Sequence, residues 1–154
     1  MLMLQFQAGS ERYGLDIAKV IEVAPLINLR KIPHAAPEVA GIFNYRGTLA
    51  PVVDLTYLLI CEPSRPRMST RIILVPYEGD DGCPHILGLQ AESVTQTVRC
   101  RPADLQAPVV TVSGAPYLGD ILFDDRGSIQ VIEIDRLLTR ELLFTLFPPE
   151  VFSA

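Results

Sequence analysis

Gly41-Ile-Phe-Asn-Tyr-Arg-Gly-Thr-Leu-Ala-Pro-Val-Val-Asp-Leu55 runs from an apolar pair through a polar turn into a β-branched segment. Ile42 and Phe43 enter the turn Asn44-Tyr45-Arg46-Gly47 and residues 48–53 leave it, which predicts strand, tight reversal and strand. Gly47 is the position for a positive φ, because a residue without Cβ reaches that region at no steric cost. Arg46 is thereby held at a loop tip. Pro51 has no N–H to give to a ladder, so the outgoing strand lies at a sheet edge or is bulged there. Asp54 is placed to cap a turn of helix through Leu58 and Leu59. Two readings of Arg46 are open on these residues: an ordinary hairpin with a solvated arginine, or a tip that organises a contact.

Outward from this stretch the chain reads as a series of short strands. Residues 2–7 alternate as a half-buried strand does, Gly9-Ser10 turns, and a second strand surrounds residues 12–15. Asp16 caps a turn or two of helix carrying Ile17, Val20 and Ile21, which Glu22 and Val23 end. Residues 26–32 read as a strand stopped by Pro33. Ala36-Pro37-Glu38-Val39 reads as a short helix, with proline at its first position and an acid in its first turn. Residues 61–70, with Pro63, Ser64, Pro66 and Ser69, are the most linker-like part. Strands follow at 71–76 and 85–90 around a polar loop holding Asp80 and Asp81, and again at 117–123 and 128–134 around Asp124-Asp-Arg-Gly127. Residues 135–138 read as a last short helix. The tail, residues 142–152, is apolar and is expected to pack on the protein's own sheets; docking to a partner or to a membrane surface is the alternative.

The two halves echo one another. Tyr13-Gly-Leu15 precedes Val20 as Leu87-Gly-Leu89 precedes Val94, and Arg46-Gly47-Thr48 returns as Arg126-Gly127-Ser128. Val52-Val-Asp-Leu-x-x-Leu58-Leu59 returns as Val131-Ile-Glu-Ile-x-x-Leu137-Leu138. Such self-similarity predicts two like β units.

Composition narrows the function. With 49% hydrophobic and 20% charged residues the chain folds around a real core, and its formal charge of -5 without a basic run argues against nucleic acid. No stretch nears the roughly 18 apolar residues of a spanning helix. Cys61, Cys83 and Cys100 have neither disulfide-framework nor zinc spacing, which suits a reducing cytoplasm. No nucleophile elbow, Walker loop, dinucleotide fingerprint or calcium loop is present. His34 and His85 stand apart from any ligand-spaced partner, so the sequence names no catalytic residue, metal or cofactor. What remains suits protein contact, with Glu22 and Arg46 as a candidate carboxylate–guanidinium pair.

Tyr13-Gly-Leu-Asp-Ile17, Val20-x-Glu22-Val23, Ile32-Pro33, Val39-x-Gly41-Ile42-x-Asn44-x-Arg46-Gly47 and Pro51-Val-Val-Asp54-Leu55 together resemble the CheW-like domain of chemosensory adaptors. The resemblance implies an all-β fold with short helices, two SH3-like five-stranded β-barrel lobes. One domain would cover residues 1–145, its intertwined lobes joined near 61–70, with residues 146–154 as an apolar tail. It further implies a non-catalytic cytoplasmic adaptor between a methyl-accepting receptor's cytoplasmic tip and the regulatory domain of a CheA-type histidine kinase. Such an adaptor reaches membrane arrays through receptors and is not itself inserted, and a groove between its lobes takes the receptor tip. Val20, Glu22, Gly41, Asn44, Tyr45 and Arg46 would be partner-binding, with Gly47, Pro51 and Asp54 shaping the turn. Tyr45 stands where that family more often has a smaller aliphatic residue, a departure closer to surface-sensing, Wsp-type adaptors. The rival from another class is a small-ligand-binding or enzymatic β-barrel, which needs a deep polar pocket with convergent titratable groups.

Overall fold

A computed structural model describes residues 1–79 and 82–148. The turn expected at Asp80 and Asp81 and the last part of the apolar tail lie outside the described residues. Among those described, the strands are β1 (Leu2–Ala8), β2 (Glu11–Asp16), β3 (Glu22–Pro25), β4 (Val39–Tyr45), β5 (Thr48–Asp54), β6 (Arg71–Glu78), β7 (Pro84–Arg99), β8 (Leu118–Asp124) and β9 (Gly127–Ile132). Two short α-helices, α1 (Leu55–Ile60) and α2 (Arg140–Leu146), and three single 3-10 turns complete the description. No helix among the described residues is long and apolar enough to cross a membrane.

Pairing sorts the strands into two five-stranded lobes. In one, β3 pairs β6, β6 pairs the first half of β7, that half pairs β5 in parallel, and β5 pairs β4. In the other, the second half of β7 pairs β1, β1 pairs β2, β2 pairs β9 in parallel, and β9 pairs β8. The repeat seen in sequence is therefore real in space, but its halves are exchanged. The hairpin β1–β2 joins β8 and β9 from the other half, while β6 and the start of β7 join β3, β4 and β5. Equivalent positions meet equivalent partners: Gly14 opposes Val131, and Gly88 opposes Val52.

The chain passes between the lobes within β7, a strand of 16 residues. Register against β1 shifts between Gln5 and Gln7, and Ser93 takes a φ of 55° at that bulge. A bulge adds twist and bend, which is what a strand shared by two differently oriented sheets requires. Residues 61–70 run from α1 to β6, and they bond to β7 where it passes between the lobes: Ser69 C=O accepts the Val94 N–H at 3.0 Å and Arg65 Nε donates to Glu92 at 3.0 Å.

The core follows from the period of two. In β6, Ile72 and Leu74 point into the first lobe with Val52 and Ala24, while Ile73, Val75 and Tyr77 point the other way. In β1, Met3 points into the second lobe with Ile129, Val131 and Leu122, while Leu4 and Phe6 point out of it. The outward-pointing sets meet between the lobes. Among the described residues that shared cluster holds eighteen buried side chains, against five and four inside the lobes. Each large apolar side chain buried there stabilises the fold by about 1.5–3 kcal/mol, so neither lobe is expected to stand alone. At these positions the two lobes pack directly on one another.

Two expectations are corrected. Residues 26–32 are not a strand; the ladder strand is β3, and the later segment touches β4 only through the Arg30–Ile42 bridge. Residues 36–39 form a single turn closed by the Val39 N–H to Ala36 C=O bond (2.9 Å), because Val39 is already pairing with Val53. The tail behaves as expected as far as it is described. Its first part forms α2, capped by Thr139, which buries Leu142 and packs Leu143, Leu146 and Phe147 on the interlobe core.

Candidate functional site

The reversal between β4 and β5 is a two-residue loop, Tyr45 pairing Thr48, with Arg46 at φ 50° and Gly47 at φ 89°. Two positive φ values in a two-residue hairpin give the primed turn whose twist matches the flanking strands. For arginine the left-handed region costs on the order of 1 kcal/mol, since Cβ crowds the following carbonyl. Asn44 offsets part of that cost by accepting the Gly47 N–H on Oδ1 at 2.7 Å. The echoing hairpin β8–β9 is built differently. Asp124 pairs Gly127, only Gly127 (φ 116°) is left-handed there, and Asp124 Oδ1 accepts the Arg126 N–H at 2.9 Å.

Cross-strand register decides what surrounds the tip. Phe43 opposes Ala50 and Tyr45 opposes Thr48 on the face turned to the lobe interior, where Phe43 and Tyr45 cover the first lobe's core. From β3, Glu22 reaches the same tip. The Tyr45 hydroxyl and Arg46 Nη2 both donate to Glu22 Oε1, each at 2.9 Å. The Arg46 guanidinium carbon also lies 5.3 Å from the centroid of the Tyr45 ring. Accepting the phenol proton's hydrogen bond, the Glu22 carboxylate pushes the Tyr45 phenol above its ordinary value, and desolvation acts in the same direction. Tyr45, Arg46 and Glu22 therefore hold one another in a single arrangement.

This cluster is a surface feature. The Arg46 side chain is 76% exposed and that of Glu22 39%. A pair so solvated contributes at most about 1 kcal/mol, too little to account for placing a strained arginine there on grounds of stability. Among the described residues one nitrogen of Arg46 is hydrogen-bonded, to Glu22, and most of the side chain faces solvent.

The other candidate residues fall into different roles. Asn44 belongs to the tip through its bond to Gly47. Val20 closes the 3-10 turn Ile17–Lys19 with its N–H on Ile17 C=O and leans on the interlobe core. Gly41 (φ 152°) sits at a register shift in β4, where a Cβ would lie 2.7 Å from Arg30 O and 2.8 Å from Leu29 Cβ. Its neighbour Ile42 exchanges both backbone hydrogen bonds with Arg30, so Gly41 lets that segment dock. Pro51 opposes Ile42 just before β5 begins to pair β7 at Val52, the free-edge position its missing N–H requires. Asp54 caps α1 by accepting the N–H groups of Thr56 and Tyr57, and it also accepts Ser64 N and Oγ at 2.9 and 3.0 Å.

On the outer face of the same hairpin, Ile42, Leu49 and Pro51 line an apolar groove of about 350 Å³, closed by residues 32–35 and by Thr145 and Leu146 of α2. Leu49 is 68% exposed. Leu146, which closes this groove, packs on the interlobe core.

Several ion pairs escaped the sequence reading, Arg12–Asp124 among them. Arg12 forks onto Asp124, Nη1 donating to Oδ2 at 2.9 Å and Nη2 to Oδ1, and the Arg12 side chain is only 9% exposed. Hydrogen bonding to Arg12 holds the Asp124 carboxyl below the usual carboxylate range. The pairing depends on β2 lying beside β9, which no local pattern announces. No group of three or more His, Cys, Asp or Glu among the described residues is arranged to hold a metal ion.

A family model described as the CheW-like domain matches residues 2–142. The chain is 26% identical over 145 residues to the chemotaxis protein CheW of Treponema pallidum, covering 92% of this chain and 84% of that one. It is also 26% identical over 144 residues to the chemotaxis protein CheW of Klebsiella aerogenes, covering 90% and 81%. Among solved structures, the scaffolding protein TtCheW of Thermoanaerobacter tengcongensis superposes with a TM-score of 0.75 at 28% identity, covering 87% of this chain and 84% of that one.

Proposed function

This chain belongs to the CheW-like domain family, a family of non-catalytic scaffolds, and we propose that it couples the cytoplasmic tip of methyl-accepting chemoreceptors to the regulatory domain of a CheA-type histidine kinase. The observation that carries this reading is the Glu22–Tyr45–Arg46 cluster: a charged, pre-organised and solvent-facing tip held in a strained backbone conformation. Strained residues persist where the surroundings over-determine them, and contact sites are where they collect. We assign Arg46, Glu22, Tyr45 and Asn44 to kinase contact, and the groove beside Leu49 to the receptor tip. Val20 and Gly41 act by shaping these surfaces. The protein works in the cytoplasm and reaches the membrane through its receptors.

No chemistry is required of such an adaptor. It joins two partners and shifts the populations of kinase-on and kinase-off arrangements through differential contact. Individually modest interfaces suffice, because an array raises the effective concentration of each.

The test is reconstitution: receptor cytoplasmic fragments templated on vesicles, the kinase, and this chain, with kinase autophosphorylation as readout. The chain should raise kinase capture and activity together. Equal activity with and without it would overturn the reading.

A further inference from the structure

The apolar groove does not end at Leu146. A second cavity of about 390 Å³ continues it through His34, Ala35 and Thr145, which line both. Two acidic residues line it, Glu38 from the turn before β4 and Glu141 from the first turn of α2. Among the described residues neither is engaged in an ion pair, and the lining of the two cavities holds no lysine or arginine. The chain's net charge of -5 adds to the negative potential there. At the point where the cavities meet, His34 is held at φ 61°, a conformation that non-glycine residues keep only when their surroundings enforce it.

An apolar trough with an acidic end is selective in charge. An amphipathic helix lays its apolar stripe into such a trough, and a cation at one end of the stripe meets the carboxylates. A segment with an acid at that place would be repelled by both.

Resting on the adaptor reading above, we infer that the groove takes one helical segment of the receptor tip whose apolar stripe is flanked by a lysine or arginine, and that Glu38 and Glu141 select for that cation. Leu49, Ile42 and Leu146 supply affinity, and the two carboxylates supply orientation, since reversing the helix would carry its cation away from them.

The probe is a pair of ~20-residue helical peptides with the same leucine stripe, one carrying two arginines at one end and the other two glutamates. Binding to the full chain is followed by fluorescence anisotropy at low and high salt. The arginine peptide should bind at least about tenfold more tightly than the glutamate peptide, a preference that salt weakens. Glu38→Gln with Glu141→Gln should erase the preference while leaving the melting temperature unchanged, and Leu49→Ser should weaken both peptides. Equal binding of the two peptides, or a preference unaltered in the double glutamine variant, overturns the inference. Sedimentation of the chain alone is the remaining arm: a dimer abolished by Leu49→Ser would assign the groove to a second copy and overturn it too. Capture of receptor and kinase by the wild-type chain separates this inference from its premise. Intact capture by a chain that binds both peptides equally counts against charge selection alone, whereas selective peptide binding without capture of receptor or kinase counts against the adaptor reading.

Discussion

Replacing Arg46 by glutamate should leave the protein folded and remove most of its affinity for the kinase regulatory domain. Arg46 gives one 2.9 Å bond to Glu22 and is 76% exposed, so its loss costs the fold at most about 1 kcal/mol. A glutamate facing Glu22 adds a repulsion of similar size, again reduced by solvent. For a chain of 154 residues, each kcal/mol lowers the melting temperature by roughly 2–4 °C, so the total drop stays within about 8 °C. At an interface the balance differs, because water is excluded and the remaining guanidinium donors find acceptors. Truncating one side of a desolvated charge pair typically costs about 2–5 kcal/mol, a weakening of roughly 30-fold or more. Calorimetric melting and titration of the kinase domain, run on the same samples, measure both quantities. Affinity within about threefold of wild type would refute the assignment of Arg46 to that contact. Outright unfolding would refute the reasoning that the pair is structurally minor. The exchanged variant, Glu22→Arg with Arg46→Glu, adds a finer measurement. It should recover melting, and should not recover binding, because the partner would meet reversed charges.

Three other outcomes are expected. Asp54→Ala removes the cap of α1 and the acceptor of both Ser64 donors, a loss of about 2–3 kcal/mol, visible as a lower urea midpoint with an unchanged slope. Asp124, held below its ordinary pKa by Arg12, contributes stability that is present above the unfolded value near 3.9 and is lost as pH falls through the lower folded value. Urea titrations of wild type and Asp124→Asn should therefore differ above about pH 4 and converge in stronger acid. Ending the chain at Thr145 removes Leu146 and Phe147, which pack on the interlobe core, Phe147 stacking on His85 at 4.4 Å between ring centroids, so melting should fall. Unchanged melting with weaker partner binding would instead make the tail a docking segment.

Much of this protein is local and therefore written in order along the chain. The hairpin at Asn44-Tyr45-Arg46-Gly47, the Asp54 cap and the edge position of Pro51 each depend on the steric and hydrogen-bonding properties of a few adjacent residues. The duplicated β unit was legible for the same reason, since equivalent strands keep equivalent glycines and apolar positions. Residues 26–32 misled because their apolar content suits a strand, whereas the ladder partner of β6 is decided by which segment its edge can reach, and that is β3. Pro37 and Glu38 in Ala36-Pro37-Glu38-Val39 misled similarly: helix-start chemistry lost to the pairing of Val39 with Val53.

What tertiary structure alone decided is long-range. Glu22 and Arg46 are 24 residues apart and share an oxygen with Tyr45 only because β3 and the β4–β5 hairpin wrap one core. Arg12 and Asp124 are 112 residues apart and meet because the two halves exchange hairpins. The exchange itself buries, between lobes that sequence shows only as two similar halves, the largest apolar cluster among the described residues. Sequence by itself determined which residues prefer turns, caps and strand faces, because those preferences act over a few bonds. Which of them became neighbours was settled by burial of apolar surface, a force without direction or sequence range.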